Sequence, residues 1–328
     1  MKIRILLAAA ATLFSASSSF AQRVCHSTVA PGGSIPAAVA SAGSAGGGTV
    51  CLSAGTHLVG TEISLPSNVR LVGTGATRET VTLKRSGTAD SPVVSAGTGT
   101  TGAEIRNLTI DGSGVATYGV LLYQTQYATI DNISIDHVKS ISAGMVQSYH
   151  IYFFNSYIGP DLGVDEWVSP HFWITNTDQV WISDGEFIGK PRTLVHEGDG
   201  GFAMYGSSNV RIYGNYVLRG GTYMASSSGV PSSYIYVWGN TYEYSNEWPM
   251  DVVEGANNIL ISDNQIRYAF HGAMVFWNSN TIEASYNLME NNNQGGYATC
   301  QGINNNGSTA LNVHNNAANP GPVMCNVP

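Results

Sequence analysis

The sequence predicts an all-β, single-domain right-handed parallel β-helix, a solenoid of roughly 9–11 coils with a short N-terminal capping helix. Three observations carry this prediction. The first is a returning phrase of two apolar residues, separated by one position, followed by an asparagine. It reads Val210-Arg-Ile212-Tyr-Gly-Asn215, Ile235-Tyr-Val237-Trp-Gly-Asn240, Ile259-Leu-Ile261-Ser-Asp-Asn264, Ile282-Glu-Ala284-Ser-Tyr-Asn287 and Leu311-Asn-Val313-His-Asn-Asn316. Val180-Trp-Ile182-Ser-Asp-Gly185 opens the series with glycine at the asparagine place, and the first apolar residues then advance by 30, 25, 24, 23 and 29 positions. The second is period-two patterning within each phrase, with one face turned inward and no helical spacing. The third is the asparagine itself, which tolerates left-handed backbone angles in a tight turn. Stacked one coil apart at roughly 4.8 Å, such asparagines can bond one another as a ladder. The hand follows from the rule for parallel crossover connections.

Taken in order, the chain first shows Lys2 and Arg4, an apolar run from Ile5 to Phe14, and small residues up to Ala21. This reads as a secretory signal peptide over 1–21, too short to span a bilayer. The remainder, 22–328, is expected to be one β-helix domain with an N-terminal cap at about 22–48 and a C-terminal cap at about 298–328. Ser34 to Ala45 places Ile35, Ala38, Val39 and Ala42 on one helical face, suited to plugging the first coil. Strands follow near Thr49–Leu52, Ile63–Leu65 and Val69–Val72, with turn residues between them.

The four cysteines fit an oxidising compartment and sit in pairs at opposite ends of the chain. Of the three connectivities, Cys25–Cys51 with Cys300–Cys325 is favoured, because each bridge would pin one end of a rod. The formal charge is −8; without Lys2 and Arg4 it becomes 12 cations against 22 anions. That balance disfavours nucleic acid, whose phosphates need a basic footprint. No later segment is long and apolar enough to cross a bilayer. The expected protein is a secreted monomer, extracellular or periplasmic, whose partner is a polysaccharide or oligosaccharide.

The segment "GGGTVCLSAGTHLVGTEISLPSNVRLVGTG", with its Gly-Thr-Val strand and Gly55-Thr56-His57 turn, resembles the opening coil of the pectate-lyase-like β-helix superfamily. "AEIRNLTIDGSG", "ATIDNISIDHV" and "HIYFFNSYIG" each look like one further coil, and the resemblance covers residues 45–318 as fold. It implies polysaccharide cleavage, with calcium as the cofactor in the lyase branch. The catalytic motifs depart from the family's. Where family-one pectate lyases carry Arg-x-Pro-x-x-Arg, this chain has Glu247-Trp248-Pro249-Met250-Asp251-Val252. Their second calcium-binding aspartate falls on Ala203, which leaves Asp199 as the candidate calcium ligand; polygalacturonases have paired aspartates where this chain has Asp199-Gly200. The site is therefore expected to be rebuilt with acids, and neither mechanism transfers whole.

Aligning coils on Val180, Val210, Ile259 and Ile282 puts Ile174, Met204, Val253 and Phe276 six residues upstream, pointing inward. The outward places then hold Thr175, Tyr205, Glu254 and Trp277, and Trp173, Ala203, Val252 and Val275. Flat rings at Trp173, Tyr205 and Trp277 suit the apolar faces of sugars, with Trp248 nearby, though aromatic residues also simply cover sheets. Asp199, Trp248 and His271 stand at the upstream end of these strands, with Glu247 beside Trp248. Asp199 and Glu247 should lie about two coils apart, on the order of 10 Å, near the spacing of an inverting glycosidase. Asp251 and Glu254 are substitute partners, and His271 a proton or substrate contact. Lys190 and Arg192 are the basic residues a lyase would need.

These residues support three readings. The first is glycosidic-bond cleavage, by hydrolysis ahead of calcium-assisted elimination. The second, from another class, is a non-catalytic glycan-binding surface protein. The third is a polyuronate epimerase, for which Ser169-Pro170-His171 resembles the Asp-Pro-His of such enzymes with serine in place of the acid.

Overall fold

A computed structural model describes residues 24–88, 90–160, 170–191, 200–296 and 298–326. The signal-peptide segment 1–21 lies outside these, as do Ser169, Arg192 and Asp199.

Every coil of the solenoid has the same local cause. Alternating residues such as Val210, Ile212 and Val217 are fully buried, while their neighbours stay partly exposed. Each strand therefore has one wet and one dry face, and the dry faces close around a single continuous core. Each winding gives one strand to an 11-stranded parallel sheet, whose central members are Phe172–Thr175, Gly201–Tyr205, Gly221–Ala225, Met250–Val253 and Met274–Trp277. The rest of each winding joins a 21-stranded sheet that bends at the asparagine turn, separating a six-residue strand such as Asp178–Ser183 from a short one such as Glu186–Ile188. The register follows the repeat: Val180, Val210, Ile235, Ile259, Ile282 and Leu311 stand in line.

The asparagine ladder forms. Asn215, Asn240, Asn264 and Asn287 each donate Nδ2 to the Oδ1 of the next coil's asparagine, at 3.0, 3.0, 3.0 and 2.9 Å. Each Nδ2 also bonds a carbonyl of the preceding coil, as Asn264 does with Val237 at 3.0 Å. The opposite corner, where the 11-stranded sheet turns into the other, is tied by hydroxyls. Backbone N–H groups of Thr125, Ser148, Thr177 and Ser207 donate to the side chains of Ser148, Thr177, Ser207 and Ser232 in succession. This second ladder breaks at Ala256 and resumes with Ser279 and Ser308.

The helix Ile35–Ser44 caps the first coil as expected. Ser34 accepts the Ala37 N–H at its start, and Ile35, Val39 and Ala42 are buried. Disulfides join Cys25 to Cys51 and Cys300 to Cys325. The expected Gly-Thr-His turn does not form: Gly55–Val59 is a strand, paired with Val81–Arg85. His57 is buried there, with Nε2 bonded to the Ser53 carbonyl at 2.9 Å.

Candidate functional site

The outer face of the 11-stranded sheet gathers most of the predicted aromatic residues. Parallel pairing places Trp173, Ala203, Tyr223, Asp251 and Val275 in one row across five coils. The next outward row holds Thr175, Tyr205, Ala225, Val253 and Trp277. The Trp173 and Tyr205 ring centres lie 4.8 Å apart, and those of Tyr205 and Tyr223 5.5 Å apart. Trp277, 52% exposed, marks the far end. Trp173, Tyr205 and Trp277 therefore share one face of the sheet, and Tyr223 stands among them.

One coil departs from the expected alignment. The inward residue lies six positions before the reference in the coils of Ile174, Met204 and Phe276, but in the Asp251 coil it is Val252, seven before Ile259. Val252 is fully buried in line with Met224 and Phe276, not outward as expected, and Val253 stands in the outer row with Trp277, though it is 5% exposed. The extra residue is accommodated at Glu254-Gly255-Ala256, where Glu254 and Gly255 take positive φ of 54° and 84°. This is the winding where the hydroxyl ladder breaks. The single-residue lengthening turns Asp251 to the outer face and leaves Glu254 exposed in the turn beside it.

Asp251 and Glu254 form the electrostatic centre of this face. Burial, then the Glu254 charge, pushes the Asp251 carboxyl up to about 7. The Asp251 residue remains partly exposed, but its Oδ1 is shielded and has no hydrogen-bond partner. Burial and the two carboxylates together also raise the Tyr205 and Tyr223 hydroxyls above their ordinary range. A carboxyl that is protonated near neutrality, next to a second carboxylate and a row of rings, can donate a proton to a substrate lying along the row.

The other predicted residues form a separate group at the upstream end of the same strands. Trp248 packs edge-on against His271, with ring centres 5.4 Å apart, and the Phe270 ring centre lies 5.5 Å from that of His271. Asn246 donates to the carbonyls of Lys190 and Arg219 at 3.0 and 3.3 Å, bringing Lys190 to the segment that carries Glu247. Asp199, Arg192 and the expected Asp199–Glu247 spacing lie outside the described residues. So does the candidate calcium site at Asp199; among the described residues, no three His, Cys, Asp or Glu side chains gather as a metal site.

His171 is only 1% exposed, and burial lowers its imidazole to about 3. Its Nδ1 accepts the Gly201 N–H at 3.4 Å, so it serves as a neutral interior strut.

Tyr223 escaped the alignment because the turn after its strand is longer, running from Ser226 to Ser232 before Ile235 arrives. A usable signal was present: Gly201 and Gly221 each precede a methionine by three residues, and these pairs stand in register. The glycines are required because the Gly221 backbone passes where a Gly201 side chain would start.

No protein-family model and no curated protein sequence matches this chain. Solved structures do. The mannuronan C-5 epimerase AlgE6 A-module of Azotobacter vinelandii aligns with a TM-score of 0.62 at 16% identity, over 90% of this chain and 94% of that one. The tailspike protein of E. coli bacteriophage HK620, in complex with a pentasaccharide, aligns at 0.64 and 14% identity, over 89% of this chain and 60% of that one. PfbA, a surface adhesin of Streptococcus pneumoniae, aligns at 0.61 and 15% identity, over 87% of this chain and 85% of that one. At such identities the likeness is one of architecture: the chain has a right-handed parallel β-helix fold.

Proposed function

We propose that this protein is a secreted carbohydrate-active enzyme that hydrolyses glycosidic bonds of an extracellular polysaccharide on the outer face of its 11-stranded sheet. The observation that carries the reading is the Asp251 carboxyl, raised to about 7 by burial and by Glu254 within an aromatic row. Glycoside hydrolysis uses a pair of carboxyl groups, one of them raised so that it can act as the acid. Protonated Asp251 gives its proton to the departing glycosidic oxygen, and Glu254 is the second carboxylate of the pair. Trp173, Tyr205, Tyr223 and Trp277 hold the sugar faces by ring stacking. At the upstream end of the strands, Lys190, Glu247, Trp248 and His271 contact the continuing glycan chain. Export is supported by the Met1–Ala21 segment and by two disulfides, which belong to an oxidising compartment. The polysaccharide neighbours named in the comparisons lend the same direction to the substrate class.

A second reading, glycan binding without turnover, is favoured by the exposure of Trp277, which equips the row for binding whatever the carboxylates do. The test is a screen of plant, algal and bacterial polysaccharides with the pure protein. New reducing ends without an unsaturated uronate, lost in both Asp251→Asn and Glu254→Gln, support hydrolysis at this pair. An unsaturated product would make the protein a lyase, and saturable binding without products would make it a binding protein. Undiminished cleavage by both variants would remove the proposed pair.

A further inference from the structure

The six-residue strands of the 21-stranded sheet carry a second outward row that the proposed cleavage site does not use. Tyr152, Trp181, Arg211 and Tyr236 stand in register on four consecutive coils. Their alternate neighbours, such as Ile151, Val180, Val210 and Ile235, are buried in the core, so this row points away from it. Tyr152 lies flat against Trp181, with ring centres 4.8 Å apart and planes at 16°. The Arg211 guanidinium carbon sits 5.1 Å from the Trp181 ring centre and 5.6 Å from that of Tyr236. His150 continues the surface, stacked 6.0 Å from Trp181 and 4.7 Å from the half-exposed Tyr127.

The charge in this row is distinctive. Arg70, Arg106 and Arg267 each sit against a carboxylate. Arg211 has ring contacts but no hydrogen bond or ion pair among the described residues. Its guanidinium sits between the Trp181 and Tyr236 rings, and its N–H groups have no hydrogen-bond partner among the described residues. Such a fork matches a carboxylate in bidentate geometry, and the flanking rings match the apolar faces of pyranoses. Three strand spacings separate Tyr152 from Tyr236, roughly 14 Å, enough for a short oligosaccharide.

We propose that this row is a second glycan-binding surface, selective for an acidic oligosaccharide whose uronate carboxylate is taken by Arg211. It lies on a different sheet from Asp251 and does not depend on cleavage there. In a chain with an overall negative charge, the surface gives an anionic polymer one local cation to dock on.

The test separates the two faces. Binding of galacturonate and mannuronate hexamers, with uncharged cellohexaose as control, is measured by calorimetry in a Tyr205→Ala/Tyr223→Ala/Asp251→Asn/Trp277→Ala background, which removes the proposed proton donor and three of the four rings of the cleavage face. At least one uronate hexamer should bind, at least tenfold more weakly after Arg211→Ala and more weakly as salt rises, with cellohexaose unchanged by that substitution. Arg211→Gln, which keeps the stem in place and removes the charge, should show the same loss with an unshifted thermal midpoint. The proposal is overturned if no uronate hexamer binds, if both Arg211 variants bind as tightly as the parent, or if cellohexaose weakens in parallel. Absence of hydrolytic activity in the parent protein would count against the cleavage reading alone.

Discussion

Replacing Asp251 with asparagine should make the protein more stable at pH 8 while abolishing cleavage. The carboxyl is raised from 3.8 to about 7 in the folded chain, so the native state binds a proton that the unfolded chain releases. Where the native state holds more protons than the unfolded one, stability falls as pH rises. The fall starts near the unfolded value, about pH 4, and is complete above the folded value, about pH 7. At 1.36 kcal/mol per pKa unit, a rise of about three units corresponds to about 4 kcal/mol. Because the side chain is partly exposed, screening reduces this to about 2–4 kcal/mol. Asp251→Asn keeps the shape without the charge. Denaturant midpoints of parent and variant should therefore coincide near pH 4 and separate in the variant's favour by pH 8, with equal m-values. A difference independent of pH, or a variant less stable at pH 8, would refute the environment inferred for this carboxyl.

The same geometry makes further predictions. Glu254→Gln removes the charge that adds to the Asp251 shift, so the pH above which the activity of any residual turnover declines should move downward in a pH–rate profile. Trp277→Ala and Tyr205→Ala should each weaken substrate binding about three- to tenfold, in keeping with aromatic contacts of roughly 0.5–1.5 kcal/mol, as read from KM or calorimetry. Asn264→Ala removes the two hydrogen bonds that Asn240 makes to Oδ1 and the three that Nδ2 donates, to Val237, Ser262 and Asn287. At about 0.5–1.5 kcal/mol each, with buried groups left unpaired, the loss should be about 3–5 kcal/mol in chemical unfolding. A loss below about 1 kcal/mol would mean the ladder is ornamental to stability.

The sequence by itself determined the winding. Alternation in the Val180 to Val313 phrases, and asparagines recurring at 23–29-residue steps, can be satisfied together only by stacking coils in parallel. The ladder, the capping helix on Ile35, Val39 and Ala42, and both disulfides follow from the same local chemistry. The sequence also named Trp173, Tyr205, Asp251, Glu254 and Trp277, without determining how they combine. That was decided by turn lengths, which a repeat pattern averages away. One extra residue at Glu254–Ala256 exchanges inward and outward positions along the preceding strand, burying Val252 and presenting Asp251. A longer turn after Ala225 hid Tyr223 from a fixed-offset alignment, although pairing places it directly between Ala203 and Asp251. Strand alternation has a period of two, so it marks each face locally. Only the hydrogen-bonded register of neighbouring coils decides which residues of distant sequence share that face.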